Sequence, residues 1–245
     1  MLLNDSNYYS DEANREFFSV SQFKSFMSCE ARAIAELNGE YKRPVTRALL
    51  VGSFVDHYFE GTLDDFMKDN PAIFTRKHEL RAEFKRANEI IKIVKEDVKF
   101  MDSLSGEKQR IFTFNLFGVP WKAKLDSYNP GKAITDLKVV ARMYKLPQWR
   151  YDIQGAIYQK GVEIVTGEKL PFYLAVVTKE KVMDRDIWQV PQSTLDMALR
   201  QVEENIGRYA DIKAGLIEPV RCGKCDYCKS IKQASVRNYN ELLEV

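Results

Sequence analysis

The sequence predicts an α/β fold organised around one core, and three observations point to it. A chain of 245 residues with 45% hydrophobic content is long enough to bury a sizeable core within a single domain. Between residues 47 and 178 the hydrophobic periodicity switches between helical and strand-like in the order helix, three strands, helix, strand. The three strand-like runs are separated by Gly118-Val119-Pro120 and by Asn129-Pro130-Gly131, which are turn signals of the kind that join neighbouring strands.

Residues 1–18 are polar and mixed, and are expected to form a loosely held, flexible arm. Ser19 or Ser21 can cap a helix through Phe23, Phe26, Met27, Ile34 and Leu37 that ends near Gly39. The segment TRALLVGSFVDHYFEG is helical in pattern, and Gly52, Asp56 and Glu60 follow one another at i+4 steps along one side. From about 76 to 100 a long charged helix is expected, with Lys77, Arg81 and Lys85 aligned either as a solvated face or as a phosphate-contacting stripe. RIFTFNLF, VPWKAKLDSY and AITDLKVV read as the three strands. The helix LPQWRYDIQGAIYQKGVEIVTGEK presents Ile153, Ile157 and Ile164 and closes at Gly167. FYLAVVT is a further strand, and STLDMALRQVEENIGRYADIKAG a last helix with Ser193 or Thr194 as its cap. No internal repeat or low-complexity segment is seen.

The formal net charge is +2, from 37 basic against 35 acidic residues, so attraction to nucleic acid has to come from local patches. No segment approaches the roughly 20 apolar residues of a membrane span, and a soluble, cytoplasmic protein is expected. Three of the four cysteines lie together in RCGKCDYCK (Cys222, Cys225, Cys228), with Cys29 far upstream. In a cytosolic chain such clustering points to metal or redox chemistry before disulfides.

The strand ITDLKVV places two charges among β-branched neighbours. Alternation puts Ile134, Asp136, Lys138 and Val140 on one face, with Asp136 and Lys138 about 6 to 7 Å apart along the strand. A turn centred near Gly131 sets Asp126 opposite or nearly opposite Asp136, which brings the two β-carbons to about 5 Å. Two carboxylates so placed repel unless a cation lies between them. A divalent ion is one answer, since Mg²⁺ takes hard oxygen ligands and uses one or two protein carboxylates with waters and phosphate oxygens. A cross-strand salt bridge from Lys138 at a sheet edge is the other.

Asp126, nine residues, then Asp136-Leu137-Lys138 resembles the PD-(D/E)xK nuclease signature, and the element order resembles that superfamily's restriction-endonuclease-like core (helix, three-stranded meander, helix, strand), here with additional N- and C-terminal helices. The resemblance extends to the RecB-like and RecE-like, phage-type exonuclease branch. There a helix with the pattern G-x-x-x-(H/D) supplies a metal ligand, matched by Gly52 and Asp56, and a later helix carries Gln-x-x-x-Tyr, matched by Gln154 and Tyr158. The opening SVSQFKSFMSC is similar to that branch's Ser-x-Ser-x-φ-x-x-φ-x-x-Cys pattern, φ being apolar or aromatic. Many members have His where this chain has Asp56, with His57 directly after it. The two lie about 100° apart on a helix, and Asp56 is the expected ligand, with Glu60 one turn on as an auxiliary carboxylate.

What the resemblance implies is a single nuclease domain spanning residues 1–245, with its core at 47–178, acting as a Mg²⁺- or Mn²⁺-dependent deoxyribonuclease. The metal would be held by Asp56, Asp126, Asp136 and the Leu137 carbonyl. Lys138 would position the attacking water, to leave a 5′-phosphate, and Gln154 and Tyr158 would position the DNA backbone. Arg142, Lys145 and Arg150 could add phosphate contacts or remain a solvated loop. In iron–sulfur members a cysteine from the N-terminal helix joins a C-terminal trio, so Cys29 with Cys222, Cys225 and Cys228 would hold a [4Fe–4S] cluster. Zinc on the same thiolates is the alternative, and free reduced cysteines a further one. The expected activity is exonucleolytic resection of linear double-stranded DNA ends for recombination, with a single-strand annealing protein as partner and ring-shaped homo-oligomerisation possible. A structure-specific endonuclease and a non-catalytic DNA-binding module of the same fold are the alternatives.

Overall fold

The structure is a computed structural model that describes residues 1–236 and 238–242. Its helices are α1 (Asp11–Glu16), α2 (Val20–Ser28), α3 (Glu30–Leu37), α4 (Arg47–Glu60), α5 (Leu63–Asp69), α6 (Ala82–Glu96), α7 (Val98–Ser103), α8 (Tyr151–Thr166), α9 (Gln192–Lys213) and α10 (Asp226–Ser230). Its strands are β1 (Arg110–Leu116), β2 (Val119–Leu125), β3 (Ser127–Asn129), β4 (Ala133–Val140), β5 (Phe172–Thr178) and β6 (Arg185–Gln189). The mixed α/β class and the predicted helix, meander, helix, strand order are present. The chain groups into two compact units: Met1–Val20 with Pro44–Gly207, and Ser21–Arg43 with Arg208–Val245.

In the first unit, β1 and β2 form an antiparallel hairpin whose two-residue connection, Phe117 and Gly118, has positive φ at both positions (54° and 77°). That left-handed pair suits the twist of tightly joined strands. The second sheet has the order β3-β4-β5-β6, with β4 and β5 parallel and the outer pairs antiparallel. Leu137 of β4 and Ala175 and Val177 of β5 bury against α4 and α6, through Val51, Phe54, Val55, Phe84, Ala87, Ile90 and Val94. A core of this kind forms because each helix offers an apolar stripe and each strand an apolar face. Helix α4 is capped by the Thr46 hydroxyl, which accepts from the Leu49 amide, and ends at Gly61 with φ 78°.

Helix α8 lies against Phe172 of β5 and Phe114 of β1. A Cβ at Gly155 would overlap the Phe172 ring, and one at Gly161 the Phe114 ring. Glycine in a helix interior costs about 1 kcal/mol relative to alanine, and here it is the only residue that lets the helix approach so closely.

Several expectations are corrected by tertiary contacts. The N-terminal segment is no loose arm, because Leu3, Tyr8, Ala13 and Phe17 are buried together with Ile111 beside them. The Lys122 ammonium, on a buried residue, donates to the Tyr8 carbonyl at 2.5 Å and to Asn14 Oδ1 at 2.8 Å. The expected second strand breaks at Asp126 into β2 and β3. The charged helix begins only at Ala82: Arg81 is extended and donates from Nε to the Ala72 carbonyl at 2.9 Å, and Phe74 bridges Leu80, so Lys77, Arg81 and Lys85 share no helical stripe. Strand β6, largely exposed, lacks the alternation that announces a strand. Helix α9 begins at Gln192, before either expected cap.

In the second unit, the single helix expected over residues 19–39 is two, because Cys29 is extended (φ −169°, ψ 110°) between α2 and α3. Phe23 and Phe26 pack on Tyr209, each at 5.3 Å between ring centroids. Glu30 accepts two bonds from Arg208 at 2.8 Å and one from the Val220 amide at 2.8 Å.

Replacing Gly155 with alanine is expected to lower stability by about 1–3 kcal/mol through overpacking, read as a shift of the urea midpoint. An unchanged midpoint would mean that α8 can lift from Phe172 freely.

Candidate active site

The site is built on β4 and the bend that precedes β3. The pairing Ser127↔Thr135, carried one residue on, sets Asp126 opposite Asp136, as alternation and the turn at Gly131 predicted. The bend turns Asp126 so that its Oδ2 accepts from the Leu137 amide at 3.0 Å. Asp136 is 1% exposed; its Oδ1 accepts from Gln154 Nε2 at 2.7 Å, and its Oδ2 pairs with the Lys138 ammonium. Burial, with Asp126 alongside, pushes the Asp136 carboxyl up to about 7 against the pull of Lys138. Burial alone would lower Lys138, but Asp136 and Asp126 together hold it above the ordinary lysine value, so its ammonium stays charged. Its Nζ also stands 5.1 Å from the centre of the Tyr151 ring.

Helix α4 brings the third carboxylate. Asp56 Oδ1 is buried with no hydrogen-bond partner, and its pKa is raised well above the usual range by burial first and then by Asp126, Asp136 and Glu60. Glu60, one turn on, is raised as well, by burial and then by Asp126, against the opposite pull of His57 and Lys124. Asp56, Glu60, Asp126 and Leu137 line one cleft with Phe59, Leu104, Lys108 and Gln109. His57 does not line that cleft but flanks Glu60: its Nδ1 lies 2.7 Å from Thr62 Oγ1 and 3.5 Å from Glu60 Oε2, and its ring stacks on Phe66 at 4.7 Å. The structure therefore brings together Asp56, Glu60, Asp126, Asp136, Leu137 and Lys138.

Gln154 and Tyr158 reach the same place from α8 but are engaged by the protein itself. Gln154 is buried on Asp136, and the Tyr158 hydroxyl donates to the Lys124 carbonyl at 3.2 Å, two residues before Asp126. Gln154 thus contacts a carboxylate and Tyr158 the backbone just ahead of one. Among the basic residues of the β4–α8 connection, Arg150 forks onto Asp152 and reaches Gln201 Oε1 at 2.6 Å, while Arg142 stands 3.9 Å from Glu180. Lys108, Gln109 and Tyr151 were not anticipated, because no spacing in the chain links them to the motif residues.

The four cysteines converge in the second unit. Cys29 Sγ is 3.6 Å and Cys222 Sγ 3.9 Å from Cys228 Sγ, and all four sulfurs lie within 4.8 Å of one another. The amides of Lys224 and Cys225 point at Cys222 Sγ and lower its thiol to about 6, which favours the thiolate that a metal requires. Cys29 and Cys228 are buried.

A meander whose bend and central strand converge two aspartates and a lysine, with a third carboxylate delivered by a preceding helix, defines the PD-(D/E)xK class of α/β fold. A family model described as "PDDEXK-like domain of unknown function (DUF3799)" matches residues 19–231, and the chain belongs to that family within the PD-(D/E)xK nuclease superfamily. It is similar to a crystal structure described as "Putative exonuclease" from Eubacterium rectale, with 46% identity, coverage of 99% of this chain and 98% of that one, and a TM-score of 0.95. A second solved structure, SSO0001, aligns over 88% of this chain and 96% of its own at 14% identity with a TM-score of 0.34, a likeness too weak to bear on the site. No curated protein matches the chain. No helix among the described residues is long and apolar enough to cross a membrane.

The raised carboxyls give a definite pH dependence. Asp136 in the unfolded chain titrates near 3.9 and in the folded protein near 7, so the folded state holds the extra proton between those values. Relative to the fully ionised protein, that stabilisation is complete below about pH 3.9 and is lost as pH rises through about 7. In EDTA the protein should therefore melt at a lower temperature at pH 8 than at pH 5.5, and Mg²⁺ or Mn²⁺ should raise the melting temperature more at pH 8. Equal melting temperatures across that interval would contradict the buried carboxyl cluster.

Proposed function

We propose that this protein is a divalent-metal-dependent deoxyribonuclease that digests linear double-stranded DNA from its ends. The single observation that supports this best is the convergence of Asp56, Asp126 and Asp136 beside a charged lysine, with the Asp56 Oδ1 buried and unpartnered. A donor set made only of oxygens suits a hard cation. Asp56, Asp126 and Asp136, with Leu137 bordering the same cleft and Glu60 in reserve, would hold Mg²⁺ or Mn²⁺. When bound, such an ion polarises a phosphoryl oxygen and makes water more acidic.

The chain's own residues do the rest. Lys138 stays protonated, so it acts as a fixed positive charge that orients the attacking water and stabilises charge developing on the phosphate. Gln154 keeps Asp136 from rotating, and Tyr158 ties the backbone ahead of Asp126, so the carboxylates meet their ligand without reorganising. Exonuclease action is supported by the name of the 46%-identical relative. A role in resecting ends for annealing-type recombination, with an annealing protein as partner and a ring of subunits, rests on the RecB/RecE-like motifs.

Replacing Asp136 with alanine is expected to abolish Mg²⁺-dependent digestion of end-labelled linear duplex while the far-ultraviolet circular dichroism spectrum is retained; full activity in that variant would remove the assignment. Covalently closed circular duplex should resist the parent protein, and its rapid cleavage would favour a structure-specific endonuclease.

For the cysteines we propose a structural metal held by Cys29, Cys222, Cys225 and Cys228. Thiolates about 2.3 Å from one tetrahedral zinc stand about 3.8 Å apart, close to the 3.6 and 3.9 Å of two of the sulfur pairs, with all four sulfurs within 4.8 Å of one another. A four-iron cube needs its ligands further apart, so the geometry supports a single zinc ion ahead of the [4Fe–4S] cluster that the family resemblance suggests. Metal analysis of anaerobically purified protein should find one zinc per chain, lost in a Cys29→Ser variant. Broad visible absorption with four irons per chain would establish the cluster instead.

A further inference from the structure

The connection from β4 to α8 carries two large aromatic side chains that the site described above does not use. Tyr144 is 69% and Trp149 55% exposed, both within the 3₁₀ segment Met143–Trp149. A single exposed aromatic needs no explanation, but two in seven residues, between Arg142, Lys145 and Arg150 and with no acidic residue from 142 to 150, form a pattern. Among the described residues neither ring packs against another aromatic ring. The segment is also placed by the site: it leaves from Val140, two residues beyond Lys138, and returns at Tyr151, whose ring faces the Lys138 ammonium at 5.1 Å.

The segment is braced. Pro147 stiffens its interior, and Arg150, directly after Trp149, sits in the left-handed region at φ 51°, a conformation that non-glycine residues keep only when their surroundings hold them. What holds it is visible: Arg150 Nε and Nη2 bond to Asp152 at 3.0 and 2.9 Å, and Nη2 to Gln201 Oε1 at 2.6 Å. A strained residue and a half-buried fork therefore stand at the point where the Trp149 ring turns outward.

We infer that Tyr144 and Trp149 form a stacking platform for the bases of an unpaired DNA strand at the edge of the active site, with Arg142 and Lys145 following its backbone. Exposed ring faces next to cations suit a single strand because every base has a face to stack, whereas in a duplex those faces are already occupied. The inference deepens the nuclease reading and rests on it for the identity of the polymer. The acids nearby, Glu180 beside Arg142 and Asp152 beside Arg150, keep the cations placed without covering the rings.

The test is fluorescence titration with a short oligothymidylate in EDTA, so that no digestion interferes. Three tryptophans are present, of which Trp121 is buried and Trp188 is 48% exposed. The oligonucleotide should quench the emission of the parent protein, and a Trp149→Phe variant should lose most of that quenching while keeping its melting temperature. A Tyr144→Ala/Trp149→Ala double variant should bind at least about tenfold more weakly, as expected for loss of base–aromatic stacking. A blunt duplex of equal length should show no such dependence on the two rings. Quenching that persists in Trp149→Phe, affinity unchanged in the double variant, or equal loss of duplex binding would each overturn the inference; the last two would leave the face to a protein partner or to phosphate contacts. Digestion of linear duplex by the parent protein, measured alongside, separates the two claims. Digestion without aromatic dependence removes the platform and leaves the nuclease, and aromatic-dependent binding without digestion does the reverse.

Discussion

Asp56, Asp126 and Asp136 meet at one corner, Asp136 buried and the other two half-buried, and their mutual repulsion is the constraint around which the first unit is arranged. Removing carboxylates from water is expensive, and placing them together more so. The fold offsets part of that cost with the Lys138 ammonium on Asp136, the Gln154 amide on its other oxygen and the Leu137 amide on Asp126. It leaves Asp56 Oδ1 without a partner. A buried acceptor is tolerated there because the apolar cluster of α4, α6, β4 and β5 fixes the helix that carries it.

Topology makes the convergence possible. Strand β4 lies between β3 and β5, so its two faces can be assigned separately: Leu137 and Val139 toward the cluster with α4 and α6, Asp136 toward Gln154 of α8. The break at Asp126 is what lets a residue at the end of one strand reach across to the amide of the next. Gly155 and Gly161 permit α8 to lie close enough for Gln154 to reach Asp136. The N-terminal segment adds a further support, because Phe18 bridges Trp121 on β2 and Lys122 binds the Tyr8 carbonyl. The same burial lowers Lys122 to about 8.

The second unit answers a different problem. Its aromatic contacts centre on Phe23, Phe26 and Tyr209, and four thiols gather beside Ala31 and Tyr227. The extended conformation of Cys29 both interrupts the helix and aims its sulfur at Cys228.

The sequence by itself determined what local periodicity controls. Alternation along β4 put Asp136 and Lys138 on one face, the turn at Gly131 set Asp126 against Asp136, and the i+4 steps on α4 aligned Asp56 with Glu60. The spacing of Cys222, Cys225 and Cys228 likewise put three thiols within reach of one another. Tertiary structure decided what depends on partners distant in the chain: the docking of residues 1–18, the pairing of exposed β6, the bend at Asp126, the break at Cys29, and the engagement of Gln154 and Tyr158 by protein groups. Side-chain direction within an element is fixed by backbone geometry that each residue carries with it. Which polar groups lose water together, and which of them find a partner, is fixed only when separate elements pack.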